Sequence, residues 1–239
     1  MRKFIKRVIF CKVLAKLLIK PILRCHSLCY KLAGQYAIIL NGGIHPKHRI
    51  LRYKEWFLEN IQPGWTILDI GSNTGMLSLT LAEKASFVYG IESDEKHVTI
   101  AKTQYARDNI EYICADATTY SYASCKPVNC VTMSNVLEHI ENRVDFLKRI
   151  IRQVNWANDN DKRFLFRVPL IDRGWLVLYK KKMGVEYRLD PTHYVEYTLE
   201  SFTKEMDEAG IRIINANIRF AEIYAVCEAS SKLRFSHIK

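Results

Sequence analysis

The apolar positions of this chain change period several times, and each change marks an element. Near the N-terminus Phe4, Val8, Cys11, Ala15 and Leu18 recur at alternating steps of four and three, forming one uncharged helical stripe. Ile5, Ile9, Phe10, Val13, Leu14 and Leu17 alternate with Lys and Arg around the rest of the circumference. Pro21 predicts a kink or an end near Lys20. A second helical stripe, Ile50, Tyr53, Phe57 and Ile61, follows Pro46 and stops at Gln-Pro-Gly, 62–64. Short buried runs then alternate with helical patterns. Strands are expected at 65–70, 86–92, 111–115, 129–134 and 163–168, with helices at 76–84, 94–107 and 141–154 between them. This alternation predicts an α/β fold, a doubly wound and mostly parallel sheet covered on both faces. A helix over 199–209 precedes two runs, 211–220 and 222–229, joined too tightly for a helical crossover; they predict an antiparallel pair at the sheet edge.

Charge divides the chain unevenly. Residues 1–54 hold thirteen Lys or Arg and no acidic residue, whereas the remaining 185 hold twenty-three basic and twenty-five acidic residues. The expected organisation is therefore a basic helical arm over 1–40 and one α/β domain over 41–239. The longest uncharged stretch of the opening 25 residues is four, too short for a membrane span or a signal-peptide core. A helix with Lys and Arg among Leu and Ile suits an anionic membrane surface. Packing on the domain is the plainer alternative, and nucleic-acid binding a weaker one, because the arm has no Gly or Ser over its first 25 residues. Seven scattered cysteines argue for a reducing compartment, and thus for a cytoplasmic protein, peripheral at the inner membrane surface if the arm binds lipid. Cys25 and Cys29 have no second pair at ligand spacing, so no metal site is expected there.

The stretch ILDIGSNTGMLSL, 67–79, carries the first chemical signal. A buried strand passes through Gly71 and Gly75 into a helix, the sharp junction that open parallel sheets use beyond their carboxyl ends. Asn73 stands where many such loops have glycine, and Asn tolerates left-handed backbone. Glu92 ends the second strand, where a carboxylate can accept both hydroxyls of a ribose; Asp116 ends the third, where one can meet an adenine amino group. No Gly-Lys-Ser/Thr is present for a triphosphate. An acid at three successive strand ends suits a ligand with a ribose, an adenine and a cationic centre.

These motifs, over about residues 44–228, resemble the class I S-adenosylmethionine-dependent methyltransferases, in particular the small-molecule type whose fourth strand is followed by Leu-Glu-His. ILDIGSNTG, YGIESDE, CADATT and VTMSNVLEHI are similar to the four motifs, in order. The resemblance implies a Rossmann-like seven-stranded sheet with an antiparallel last strand. It implies S-adenosyl-L-methionine as cofactor, held by Asp69, Gly71, Ser72, Asn73, Gly75, Glu92, Ser93, Asp116, Ala117, Ser134 and Asn135. Asn135 stands where some relatives carry an acid, which weakens any metal site around Glu138 and His139. The segment GGIHPKHRILRYKEWFLENI is similar to the lead-in of methyltransferases from surface-polysaccharide clusters, so a glycan or lipid-linked glycan is the expected acceptor and a quinone, lipid or other metabolite the alternative. A cofactor-binding fold without catalysis is the rival from another class. Transfer to a hydroxyl needs a base. His139, oriented by Glu138, and His193 are the candidates. The long connection from Leu170 to Tyr197 offers Arg173, Trp175, Tyr179, Tyr187, Arg188 and Tyr194 as a binding lid.

Overall fold

The structure, a computed structural model, describes residues 12–229. The part of the N-terminal stripe at Phe4, Val8 and Cys11 lies outside them. Contacts group the chain into two units: residues up to Leu51 with Ile171–Pro191, and Arg52–Leu170 with the chain from Thr192 onwards. This division differs from a boundary at residue 40, because the segment 171–191 groups with the basic arm.

The larger unit carries a seven-stranded sheet: β1 (Thr66–Ile70), β2 (Phe87–Glu92), β3 (Ile110–Cys114), β4 (Cys130–Ser134), β5 (Lys162–Pro169), β6 (Ile211–Arg219) and β7 (Glu222–Ala229). The order is β3-β2-β1-β4-β5-β7-β6. β1 to β5 pair in parallel, and β7 runs antiparallel between β5 and β6. Strand order reverses at the β1/β4 boundary, so a crevice opens there beyond the strand ends. The β6–β7 turn is Phe220-Ala221, both at positive φ (48° and 62°), the backbone that a two-residue hairpin requires.

Alternate residues of the strands feed two cores. On one face Leu68, Ile70, Val131, Met133, Phe164 and Phe166 meet Phe146, Leu147 and Ile150 of one helix and Phe202 and Met206 of another. These helices are Arg143–Gln153 and Leu199–Ala209, the second opened by a Thr198/Ser201 capping box. On the other face Ile67, Cys130, Leu165 and Tyr224 pack with Trp56, Phe57, Leu77 and Leu81. The helical pattern over 46–61 is broken in two, Lys47–Leu51 and Tyr53–Glu59, because Arg52 adopts a left-handed φ of 48°. Ile50 is consequently exposed, while Tyr53, Phe57 and Ile61 stay buried.

In the smaller unit, helix α1 (Lys12–Leu40) runs through Pro21, so the expected end near Lys20 is not found. Proline removes one hydrogen bond, and the Leu, Ile, Arg, Lys and Ala that follow favour helix enough to carry it on. Only Leu23 of α1 is buried. A short helix, Trp175–Lys182, belongs to the same unit. Its Lys180 is buried, with Nζ 2.9 Å from Ser27 Oγ and 3.1 Å from His26 Nδ1. No helix among the described residues is long and apolar enough to cross a membrane.

Candidate active site

The β1 loop turns because its backbone is left-handed at three of five positions, Gly71 (φ 71°), Asn73 (φ 49°) and Gly75 (φ 91°). A Cβ on Gly71 would sit 2.3 Å from Val136 Cγ2, so the loop after β4 needs this glycine. A Cβ on Gly75 would meet the Tyr112 hydroxyl at 2.6 Å. The space beside Gly75 is filled by Tyr112 of β3. Gly71 and Ser72 donate their N–H groups to Ile91 O (2.8 and 3.0 Å), tying the loop to β2.

Asp69 is buried, and each carboxylate oxygen accepts one hydroxyl, Oδ2 from Ser78 at 2.6 Å and Oδ1 from Thr132 at 2.8 Å. Burial pushes its carboxyl up to about 6, against the two hydrogen bonds that lower it. It braces β1 against the loop's helix and β4. Ser78 and Thr132 were missed because a hydroxyl inside an apolar run reads as incidental.

Glu92 is half-buried at the end of β2. Its Oε2 accepts from Asn73 N–H at 2.9 Å and its Oε1 from Asp94 N–H at 3.0 Å and the Ser93 hydroxyl at 3.3 Å. A carboxylate oxygen has two lone pairs, so Oε2 keeps an acceptor site. Asp116 is exposed after β3; its Oδ1 accepts from Thr118 N–H (2.8 Å) and hydroxyl (2.7 Å), and Oδ2 carries no hydrogen bond. The neighbouring Ala117 carbonyl accepts from the Tyr122 hydroxyl at 2.6 Å.

After β4, Ser134 Oγ accepts from Arg167 Nη1 at 3.2 Å, and Asn135 N–H donates to Arg167 O at 2.7 Å. Asn135 has φ 56°, a conformation asparagine tolerates, so at this position it serves as a turn residue. Its buried Oδ1 and the buried Oγ of Ser72 have no hydrogen-bond partner among the described residues. Both stand at the β1/β4 switch point, one on each loop. Arg167 itself is buried in a two-pronged pair with Glu222 (2.7 and 2.8 Å) and lies over the Tyr53 ring, 4.3 Å from its centroid.

Beyond Asn135 a tight turn, Leu137–His139, buries Glu138 and exposes His139. Neither carboxylate oxygen of Glu138 has a hydrogen-bond partner among the described residues, so Glu138 does not orient His139 through a hydrogen bond. Thr192 does this instead, with Oγ1 2.9 Å from His139 Nδ1. The His139 and His193 rings meet edge to face, centroids 4.6 Å apart. His193 is buried, its Nδ1 3.4 Å from Glu196 Oε1. Burial pushes the Glu138 carboxyl up to about 7, against nearby His193 and Arg167. Ligand atoms of Glu138, His139 and His193 all lie within 4.8 Å of one another. A transition metal would draw such atoms to about 2.0–2.2 Å from its centre, within reach of small side-chain rotations. Of the expected lid residues, Arg173, Trp175, Tyr179, Tyr187 and Arg188 belong to the unit of α1. Tyr194 belongs to the sheet unit, where its N–H donates to Glu138 O at 2.8 Å.

Residues 68–155 match the family model described as Methyltransferase domain. N-methyltransferase 4 of Papaver somniferum is 32% identical over 120 residues, covering 48% of this chain and 33% of that protein. Ubiquinone biosynthesis O-methyltransferase of Aliivibrio fischeri is 23% identical over 142 residues, covering 54% of this chain and 61% of that protein. The chain thus spans between a third and about three-fifths of the length of these relatives. The crystal structure of magnesium protoporphyrin IX methyltransferase from Synechocystis with bound SAH superposes with a TM-score of 0.55 at 19% identity, covering 75% of this chain and 81% of that one. The chain has the Rossmann-like methyltransferase fold.

Proposed function

We propose that the chain is an S-adenosylmethionine-dependent methyltransferase that acts on oxygen, with a glycan or lipid-linked glycan as acceptor. The observation that carries the reading is the pair of buried polar atoms, Ser72 Oγ and Asn135 Oδ1, without partners on the two loops of the switch point. Buried polar atoms need partners, and a polar ligand in the crevice supplies them. Glu92 Oε2 would take a ribose hydroxyl and Asp116 Oδ2 the adenine amino group. The cofactor, when bound, supplies a methyl group already activated on a sulfonium. The chain must then hold the acceptor in line and remove its proton. His139, exposed and oriented by Thr192, takes that proton, and His193 packs against its ring. The similarity to a ubiquinone biosynthesis O-methyltransferase favours a quinone-type acceptor as the alternative. The basic arm over 1–40 would keep the enzyme at an anionic membrane surface.

The convergence of Glu138, His139 and His193 favours a second reading of the same site. These residues would hold a divalent cation that polarises the acceptor hydroxyl, and Glu138's two unpartnered oxygens would find their partner in it. Chelation separates the readings: activity that survives it assigns the proton to histidine alone.

The test of the main reading is calorimetric titration with S-adenosylmethionine, followed by transfer of labelled methyl into glycan or lipid fractions. Glu92→Ala should weaken cofactor binding by about 1.5–3 kcal/mol, the range for hydrogen bonds to a charged group. His139→Ala should lower turnover roughly 10²–10⁴-fold with cofactor affinity retained. Unchanged affinity in the first variant would sink the ribose assignment; a crippled His193→Ala beside a mild His139→Ala would exchange the two roles.

A further inference from the structure

Three sectors stand out around α1 at 100° per residue. Ile19, Leu23, Ser27, Gly34 and Ala37 form the inward sector, buried or half-buried. Lys20, Arg24 and Lys31, all exposed, fall in a row beside it, whereas Lys16 shares the angle of Gly34. Next to that row Leu17, Leu18, Leu28, Leu32, Tyr36 and Ile39 cover a sector about 100° wide that carries no charge. These six are exposed, with Leu17 at 68%, Leu28 at 58% and Ile39 at 71%. At 1.5 Å per residue the apolar sector extends for about 30–40 Å. So long an exposed apolar face is unusual and marks an interaction surface.

Charge identifies the partner. The unit to which α1 belongs, residues 1–51 with 171–191, holds sixteen Lys or Arg and three Asp or Glu. A second copy of this chain meeting the first at this face would bring two such excesses together, so self-association is opposed. Nucleic acid would satisfy the basic row but leave the leucines in water. An anionic bilayer satisfies both, because the apolar sector enters the acyl boundary while the row lies at phosphate level.

We infer that α1 lies in the interface of an anionic phospholipid bilayer on the sector from Leu17 to Ile39, with Lys20, Arg24 and Lys31 on the headgroups. This rests on the membrane reading of the arm given above and assigns it to one face of one helix. Lys180, bonded to Ser27 and His26 on the inward side, holds the Trp175–Lys182 helix to the side of α1 away from that sector.

The experiment is vesicle flotation of the full-length chain with phosphatidylcholine alone and with added phosphatidylglycerol. The chain should prefer the anionic vesicles, and high salt should release it only in part. The variant Lys20→Gln, Arg24→Gln, Lys31→Gln should lose on the order of 100-fold in partition to anionic vesicles, since each basic residue near such a surface contributes roughly a factor of five. The three-fold variant Leu17→Asn, Leu28→Asn, Leu32→Asn should lose binding to both vesicle types. Binding that survives both variants overturns the assignment to this face while sparing the membrane reading, since another part of the chain would then be the anchor. No binding by the unaltered chain overturns both. Sedimentation showing a dimer that the leucine variant dissociates, or oligonucleotide binding in place of vesicle binding, overturns the inference in favour of those partners. S-adenosylhomocysteine binding, measured on the same samples, should be unchanged in every variant; its absence from the unaltered chain would instead count against the enzyme reading.

Discussion

The sheet unit and the α1 unit use the same residue types to opposite ends. The sheet unit holds twenty basic and twenty-two acidic residues, and it buries several of them: Asp69, Glu138, Lys162, Arg167, Glu196 and Glu222. Most of these are braced by a specific partner. The α1 unit has an excess of thirteen positive charges and leaves leucines exposed along a 29-residue helix. Buried charge is tolerable only with fixed partners, and it fixes geometry in return. Exposed apolar surface is tolerable only if something else covers it. A reaction site needs the first arrangement, and a docking surface the second.

The contrast breaks most sharply at the buried ion pair. Arg167→Met leaves Glu222 buried without its guanidinium and frees Ser134 Oγ, at a cost of about 3–5 kcal/mol. Chemical denaturation measures it. A loss below about 1 kcal/mol would mean that the pair is solvated and that the strand ends are not braced by it.

Two glycines of nearly equal φ give the next comparison. Gly71 (φ 71°) has Val136 Cγ2 at 2.3 Å from an added Cβ, whereas Gly42 (φ 68°) has nothing within 4 Å. Gly71→Ala should combine backbone strain with overpacking, about 3 kcal/mol together, and abolish cofactor binding. Gly42→Ala should cost only the strain, about 1 kcal/mol, and spare binding. Equal losses would show that the β1 loop relaxes around the methyl group.

The strand ends were legible in the sequence because short buried apolar runs and turn residues are local signals, and Asp69, Glu92 and Asp116 each stop or interrupt such a run. What those residues touch was not legible. Asp69 looked like a ligand contact, but its partners Ser78 and Thr132 lie 9 and 63 residues away, and only the folded sheet brings them together. Thr192, 53 residues from His139, escaped notice for the same reason. Pro21 does not end the helix, because one lost hydrogen bond is small against a long run of helix-forming residues. Arg52 does break one, although nothing in its side chain announces a left-handed turn. The unit boundary followed charge only up to a point, because the partners of 171–191 in α1 are more than 150 residues distant.

Asp69 offers a smaller effect with a sign. Its carboxyl is pushed up from 3.8 to about 6 in the folded state, so between those values the folded chain binds more protons than the unfolded one. Stability therefore falls as pH rises through this window, by up to about 3 kcal/mol from this group alone. Asp69→Asn should remove that slope. Since the amide keeps one acceptor oxygen and its NH2 must donate to the other hydroxyl, the net gain above pH 6 should be about 1–2 kcal/mol. A variant whose stability keeps the original slope between pH 4 and 6 would assign the titration to another group.

The smallest effect lies in the α1 unit, where an ion pair is left to solvent. Glu186 accepts from Arg188, Oε2 to Nη2 at 2.7 Å, yet its side chain is 46% exposed. The Arg188 hydrogen bonds pull its carboxyl down to about 2, so its contribution is present above about pH 4.5 and lost as pH falls towards 2. Solvent screening keeps that contribution small. Glu186→Gln should lower stability at neutral pH by less than about 1 kcal/mol and by nothing near pH 2. It should leave cofactor binding untouched. A loss as large as that of Arg167→Met would mean that an exposed pair in this unit is fixed as firmly as the buried pair of the sheet unit, and the distinction between a braced site and a surface left open for docking would fail.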